Sequence, residues 1–173
     1  SPQAERPRLT VLVDTSESMR TGDCAGASRI ELVANEVLTP QRLQDWREQF
    51  ELDMQAFDAV VHPLPQGELH SRPVEVAAGK ATHLSAAVSR SLNRLSGGEA
   101  GDMLLVISDG RDTEDAPLQP AAELAASKGI PIFAVGVGGD RSEVDAAVLA
   151  VPMQAYGDDA RAIDVGPRDR GAR

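Results

Sequence analysis

Three short apolar runs limit the fold of this chain more than any other feature. They occupy residues 9–13, 103–107 and 130–137. Continuous apolar runs of this length are typical of strands that are buried on both faces, as in parallel sheets. Stretches with helical periodicity separate them, and strand–helix alternation is the pattern of an α/β fold. We therefore predict a doubly wound, mostly parallel sheet with helices on both faces.

Start and stop signals place the helices between these strands. Ser28 and Glu31 have the spacing of a capping box ahead of an amphipathic stretch. Pro40 interrupts that stretch, because the residue before a proline avoids helical backbone angles, and it can begin a second helix. We predict helices over residues 29–38, 40–49, 84–95 and 117–128, with the last one ending at Gly129.

The remaining strands are predicted from alternation and from the positions of prolines. Residues 50–59 alternate between apolar and polar side chains and are predicted to form the second strand. Residues 62–72 carry two prolines and a glycine, which predicts a loop. Residues 73–77 follow as a short strand, because Pro73 is compatible with the first position of an edge strand. This short segment is the predicted antiparallel member at the sheet edge.

The predicted domain spans residues 8–150, and the chain after it differs in character. Residues 142–150 are predicted to form a short last helix, and residues 153–156 and 162–165 to form strands. We interpret residues 151–173 as a C-terminal tail or the start of a following domain, partly disordered because its end is charged and contains Gly and Pro. The chain begins without an initiator Met, so we expect it to be a piece of a longer protein whose location these residues do not indicate.

Composition excludes several classes of function. The chain has 27 acidic and 17 basic residues and a net charge of −10. A nucleic-acid-binding surface would be basic, and so would a surface that attaches to anionic lipid. No run approaches the roughly 20 apolar residues that cross a bilayer, so we expect no direct membrane insertion by this chain. Cys24 is the only cysteine, which excludes an internal disulfide and a cysteine-based zinc site.

Oxygen-bearing side chains follow the predicted strands at positions that would meet at one edge of the sheet. Asp14, Ser16 and Ser18 come directly after the first apolar run, and Asp109 comes after the second. Thr82 precedes the third predicted helix. Hard oxygen ligands of this kind suit Mg²⁺, and loops at the carboxyl ends of parallel strands are where α/β folds place their sites. Two carboxylates neutralise a divalent ion, and three hydroxyls add ligands without charge, so one position stays open for an anionic oxygen.

Each of these residues also has a simpler interpretation when it is taken alone. Asp14 could cap a turn at a strand end, and Ser16 and Ser18 are common loop residues. Thr82 could be the N-cap of the helix that follows it. Asp109 before a glycine is an ordinary turn signal. The metal site is favoured because the three segments occur together and in this order.

In that order the three segments resemble the metal-ion-dependent adhesion site (MIDAS) of von Willebrand factor A (VWA) domains, over roughly residues 8–140. The resemblance implies a non-catalytic module in which Ser16 and Ser18 coordinate the ion directly. Asp14, Thr82 and Asp109 would bind it directly or through water. It also implies Mg²⁺, or Mn²⁺ or Ca²⁺, and a partner that offers a Glu or Asp carboxylate, either another protein or another domain of the same chain. Multidomain, membrane-anchored bacterial VWA proteins are the members that this chain resembles, and cell adhesion is a function of the family.

Three features near the motif need separate interpretation. Glu17 stands where the family very often has glycine, and it could tune the ion, repel an acidic ligand or point into solvent; we favour solvent. Residues 109–115 are acidic but lack the spacing of a calcium loop, so we interpret them as a solvated loop. His83 follows Thr82 and is interpreted as a surface or packing residue rather than a ligand.

Two other functions compete with the binding module. A Mg²⁺-dependent phosphatase-like hydrolase also places an aspartate at a strand end, but its mechanism needs a second Asp two residues later, where this chain has Ser16. The sequence has no G-x-x-x-x-G-K-[ST] loop and no G-x-S-x-G elbow, which argues against a P-loop NTPase and an α/β-hydrolase. The other alternative is a structural scaffold with a non-functional metal site.

Overall fold

A five-stranded, mostly parallel sheet forms the centre of the protein. The computed structural model describes residues 6–110, 113 and 116–138. Along the sheet the strands follow the order β3-β2-β1-β4-β5. Their bounds are β1 Arg8–Asp14, β2 Glu51–Phe57, β3 Val61–Pro63, β4 Met103–Ser108 and β5 Ile132–Gly136. All neighbouring pairs are parallel except β2 and β3, which are antiparallel.

Helices cover both faces of this sheet. They are α1 Arg29–Leu32, α2 Pro40–Gln49, α3 Gln66–Ser71, α4 Pro73–Val76, α5 Leu84–Arg94 and α6 Gln119–Lys128. A π-helical turn, Val33–Val37, extends α1, and short 3₁₀ turns occur at Glu17–Arg20 and Gly98–Ala100. None of the helices in the described ranges has the length and apolar character needed to cross a membrane.

The alternation of side chains along the central strands creates two hydrophobic cores. On one face, Leu9, Val11 and Val13 of β1 are fully buried with residues of α1 to α4. On the other face, Leu12 of β1 is fully buried with residues of α5 and α6. Because side chains point to opposite faces in turn, a strand buried on both sides reads as a continuous apolar run. The predicted doubly wound α/β fold is confirmed.

The structure confirms the predicted capping box at the start of α1 and the predicted glycine at the end of α6. Ser28 Oγ accepts a hydrogen bond from the Glu31 backbone N–H at 3.2 Å, and the Ser28 N–H donates to Glu31 Oε2 at 2.7 Å, so the predicted capping box is present. Gly129 ends α6 in the left-handed conformation with φ of 67°, which glycine adopts without a steric penalty.

The predicted edge strand was wrong. Residues 73–76 form helix α4, with Pro73 in its first turn, where its missing N–H costs no hydrogen bond. The antiparallel edge strand is β3, which overlaps the start of the predicted loop at residues 62–72, and most of the rest of that segment forms helix α3. A tight turn creates β3, because Asp58 Oδ1 accepts the Val60 N–H at 3.0 Å and the Asp58 N–H donates to the Val60 carbonyl at 3.1 Å. The predictions for residues 142–150, 153–156, 162–165 and 167–173 lie outside the described residues.

Candidate metal-binding site

The turn after β1 and the segment before α5 are joined by backbone hydrogen bonds at the carboxyl edge of the sheet. The Gly79 N–H donates to the Thr15 carbonyl at 3.0 Å, and the Glu17 N–H donates to the Gly79 carbonyl at 2.8 Å. A Cβ atom on Gly79 would lie 2.2 Å from Asp58 Cβ. Only glycine lets the segment before α5 come this close to Asp58, just after β2, so this position fixes where that segment lies.

Four of the five predicted ligands form a continuous run of oxygen atoms. Asp14 Oδ1 is 2.7 Å from Ser16 Oγ, Ser16 Oγ is 3.0 Å from Ser18 Oγ, and Ser18 Oγ is 2.5 Å from Asp109 Oδ2. Neighbouring ligands in an octahedral Mg²⁺ shell are separated by about 3.0 Å when the metal–oxygen distance is about 2.1 Å. The spacing of these four oxygens therefore fits a small divalent cation.

Thr82, the fifth predicted ligand, is held through its backbone rather than through its side chain. Its N–H donates to Thr113 Oγ1 at 2.8 Å, and the Thr113 hydroxyl donates to the Thr82 carbonyl at 3.1 Å. Its side chain is buried, and the N-cap position of α5 belongs to His83. The alternative interpretation of Thr82 as a helix N-cap was wrong. Thr113, which the sequence analysis did not single out, ties the loop after β4 to the Thr82 segment.

Asp14 is the most deeply enclosed carboxylate of the group. It is fully buried, and its two oxygens accept hydrogen bonds from the Ser16 N–H at 2.9 Å, from Ser16 Oγ, and from Ser108 Oγ at 2.7 Å. Burial raises the pKa of Asp14, the hydrogen bonds from Ser16 and Ser108 oppose that rise, and the charge of Asp109 adds to it. The negative charge is thus expensive to hold at this point, and a cation beside it would lower that cost.

Ser108 was missed although the sequence contains a signal for it. The parallel register pairs Val13 with Ile107, so the residue that follows each of them reaches the same edge. A hydroxyl residue directly after an apolar strand next to β1 was the available signal. Its role is to orient Asp14 Oδ2.

A buried arginine contacts the site and was also missed. Arg29 is 4% exposed, and its Nη1 lies 2.9 Å from Asp109 Oδ2. Its Nη2 lies 2.6 Å from Asp23 Oδ2, and the hydrogen bond to Asp23 raises the pKa of Arg29 further. Nothing in the sequence distinguishes an arginine at a helix start from an exposed one. Asp109 therefore already has a cationic partner, on the same oxygen that accepts a hydrogen bond from Ser18.

Glu17 is exposed as favoured, and it also has a partner. Its carboxylate forms an ion pair with Lys80, which lies in the segment before α5. The hydrogen bond from Lys80 lowers the pKa of Glu17. His83 is half-buried, and its N–H donates to the Asp58 carbonyl at 2.9 Å. Neither Glu17 nor His83 takes part in the hydrogen bonds that join the four oxygens.

Within the described ranges, no group of three or more His, Cys, Asp or Glu side chains could hold a metal ion. The candidate site instead combines the two carboxylates of Asp14 and Asp109 with serine hydroxyls. Such a donor set suits a hard cation and is unsuited to a soft one. It is the donor set expected from the sequence motif.

Comparison with known proteins agrees with this architecture. The model of the von Willebrand factor type A domain matches residues 71–155, a range that includes Thr82 and Asp109 but not the turn after β1. The fold is VWA-like. A search of curated proteins finds no match.

Solved structures show the same VWA-like fold at low identity. The Ro protein of Deinococcus radiodurans has 17% identity and a TM-score of 0.53, over 82% of this chain and 29% of its own. The PilB minor pilin of Streptococcus sanguinis has 11% identity and a TM-score of 0.52, over 83% of this chain and 53% of its own. Proximal thread matrix protein 1 of the mussel byssus, with a zinc-occupied MIDAS motif, has 14% identity and a TM-score of 0.51, over 76% of this chain and 38% of its own. This chain thus spans between about a third and about half of their lengths.

Proposed function

We propose that this protein is a non-catalytic module that binds an acidic group of a partner through a divalent cation, with Mg²⁺ as the ion. Asp14, Ser16, Ser18, Thr82 and Asp109 would supply the protein oxygens. The ion would act as a Lewis acid that attracts one further carboxylate. The residues of this chain would hold and orient it, and a Glu or Asp of another protein, or of a neighbouring domain of the same parent chain, would complete the shell.

One observation carries this proposal. Four oxygens from two separate strand ends lie in a continuous run with separations of 2.5 to 3.0 Å. Burying these carboxylates costs free energy of desolvation, because Asp14 is fully buried and the Asp109 side chain is only 1% exposed. A bound cation would offset that cost. A zinc-occupied MIDAS motif in the mussel relative supports the assignment of this edge of the sheet to a divalent ion.

The charge around the site favours an acidic rather than a neutral ligand. Of the two carboxylates, Asp109 is already paired with Arg29 at 2.9 Å. The protein oxygens therefore offer a divalent ion less than two full negative charges, and an incoming carboxylate supplies the rest. Lys80 neutralises Glu17, so this extra carboxylate near the motif does not repel an acidic partner.

Catalysis is disfavoured by the residue that stands two positions after Asp14. The Ser16 hydroxyl donates a hydrogen bond to Asp14 Oδ1 and cannot act as the general acid that a phosphatase of this type requires.

We also propose that residues 8–150 form one domain of a longer bacterial protein that is anchored to a membrane. Cell adhesion is one role that such a module could serve.

The test is isothermal titration calorimetry of metal-stripped protein with Mg²⁺ and with Mn²⁺. We expect saturable binding by the wild type and none by Ser16→Ala/Ser18→Ala. The matched control is Ser96→Ala/Ser127→Ala, two exposed serines away from the site, which should bind like the wild type. Equal binding by the Ser16/Ser18 variant would refute the site. A wild type that binds neither ion would favour the scaffold alternative.

A further inference from the structure

We propose that the groove between α5 and the β2–β3 turn binds an acidic, extended segment of a partner protein. The groove has a volume of about 500 Å³. Val60 and Val61 line one side of it, and Ala86 and Ala87 of α5 line the other. Val60 is 64% exposed, an unusual exposure for a large apolar side chain that has no covering element in the described part of the chain. This proposal goes beyond the metal site, because the groove residues are not ligands.

Basic side chains line this groove along its length. His83, Arg90 and Arg94 line it together with Asn93. Residues 83, 86, 90 and 93 are spaced by three or four, so they share one face of the helix. None of the described residues that line the groove is acidic.

The two arginines have no ion-pair partner among the described residues. This is notable in a chain with a net charge of −10, where acidic side chains are plentiful. An exposed apolar floor with basic side chains on its rim is complementary to a segment that alternates acidic and apolar residues. The charge selects an acidic protein segment over a basic or a neutral one.

The dimensions of the groove fit a short extended segment. Helix α5 has 11 residues, so the groove beside it is about 16 Å long. An extended chain advances about 3.3 Å per residue, and about five residues would fill this length. Alternate side chains of such a segment would point to the apolar floor and to the arginines.

One end of the groove lies next to the candidate metal site. His83 follows Thr82, and its backbone N–H donates a hydrogen bond to the Asp58 carbonyl just after β2. At the same strand end, the Phe57 carbonyl accepts the Thr15 N–H at 2.9 Å, and Thr15 is the neighbour of Asp14. A partner could therefore occupy the groove and reach the site with one further carboxylate.

The test is fluorescence anisotropy with a rhodamine-labelled peptide of four Glu-Leu repeats, measured in EDTA so that no metal contributes. Peptides of four Lys-Leu and four Gln-Leu repeats are the charge controls. We expect the wild type to bind the Glu-Leu peptide saturably and the other two more weakly. Affinity should fall when NaCl is raised from about 50 to about 500 mM, because exposed charges are screened.

Two double variants separate the groove from the overall charge. Arg90→Glu/Arg94→Glu should weaken binding by about tenfold or more, since each change replaces an attraction by a repulsion. Arg47→Glu/Arg72→Glu changes the net charge equally at exposed positions outside the groove and should stay within about twofold of the wild type. Ala86→Gln, a neutral change that places a larger side chain in the groove, should also weaken binding.

Three results would overturn the groove proposal: no saturable binding of the Glu-Leu peptide by the wild type, equal binding of the Gln-Leu peptide, or equal losses in the two double variants. None of these results bears on the metal site, because the measurement is made in EDTA. Failure of Mg²⁺ binding in calorimetry would in turn leave the groove measurement unaffected. The two proposals can therefore fail separately.

Discussion

Replacing Arg29 by methionine tests whether the buried cation beside the candidate site stabilises the fold. Methionine keeps much of the apolar stem of arginine but removes the charge. The Arg29 side chain is 5% exposed and that of Asp109 is 1% exposed, whereas that of Asp23 is 28% exposed. Solvent partly screens the pair with Asp23, whereas the Asp109 carboxylate would stay buried without its cationic partner.

Removing one partner of a buried ion pair costs about 3–5 kcal/mol, because the other charge remains buried. We expect Arg29→Met to lower the free energy of unfolding by about 3 kcal/mol in EDTA. The free energy of unfolding of a typical domain is about 5–15 kcal/mol, so the variant should remain folded at low temperature. Changing Asp109 as well, in Arg29→Met/Asp109→Asn, should recover part of the loss because the buried carboxylate charge is then gone.

The assay is urea denaturation followed by the fluorescence of Trp46, the only tryptophan of the chain, which is 7% exposed. Arg47→Met, on the exposed side of α2, is the matched control and should change the free energy by less than about 0.5 kcal/mol. The reasoning would be refuted if Arg29→Met cost less than about 1 kcal/mol, or if the double variant were no more stable than the single one.

Further predictions concern the segments that position the site. Gly79→Ala should destabilise the protein by about 1–3 kcal/mol, since the new Cβ would lie 2.2 Å from Asp58 Cβ; Gly67→Ala, with no atom within 4 Å of its new Cβ, should be neutral or stabilising in the same denaturation assay. Ser28→Ala should cost about 1 kcal/mol through loss of the capping box, measured by thermal or urea unfolding. The hydrogen bond from the Ser28 N–H lowers the pKa of Glu31. The ionised Glu31 carboxylate therefore stabilises the folded protein fully above the ordinary Glu pKa of about 4.3. That stabilisation is lost as pH falls through the lower folded-state pKa, and the stability difference between wild type and Glu31→Gln should disappear there; a constant difference from pH 7 to pH 2 would contradict this.

The sheet was predictable because burial on both faces leaves a signal in every residue of a strand. The apolar runs at residues 9–13 and 103–107 became β1 and β4, two of the three inner strands; Asp14 ends β1, and Asp109 directly follows β4. The edge was not predictable in the same way. Val61–Pro63 is only three residues long and mostly exposed, so hydrophobic periodicity cannot reveal it. Residues 73–76 alternate like a strand, but Pro73 begins a helical turn there.

The candidate site was predictable to the extent that its residues follow strand ends in sequence. Asp14, Ser16 and Ser18 share one turn, and the parallel register brings Asp109 to them. Arg29 and Thr113 are brought in by tertiary packing, and their own sequence neighbourhoods resemble an ordinary helix start and an ordinary loop. The sequence thus identified four residues whose oxygens lie together, and it missed the groups that hold those oxygens in place.

The position of Arg29 explains how the site could stay ordered with and without an ion. Asp109 Oδ2 accepts hydrogen bonds from both Ser18 Oγ at 2.5 Å and Arg29 Nη1 at 2.9 Å. A carboxylate has about four acceptor positions, so Arg29 leaves room for other partners. Because the arginine is already there, the buried charge of Asp109 does not depend on a metal for its balance, whereas Asp14 is held only by neutral donors among the hydrogen bonds of the described residues. Under the proposed function, Asp14 would then supply more of the charge that attracts an ion than Asp109, and the binding of the ion and of the partner's carboxylate would depend on each other.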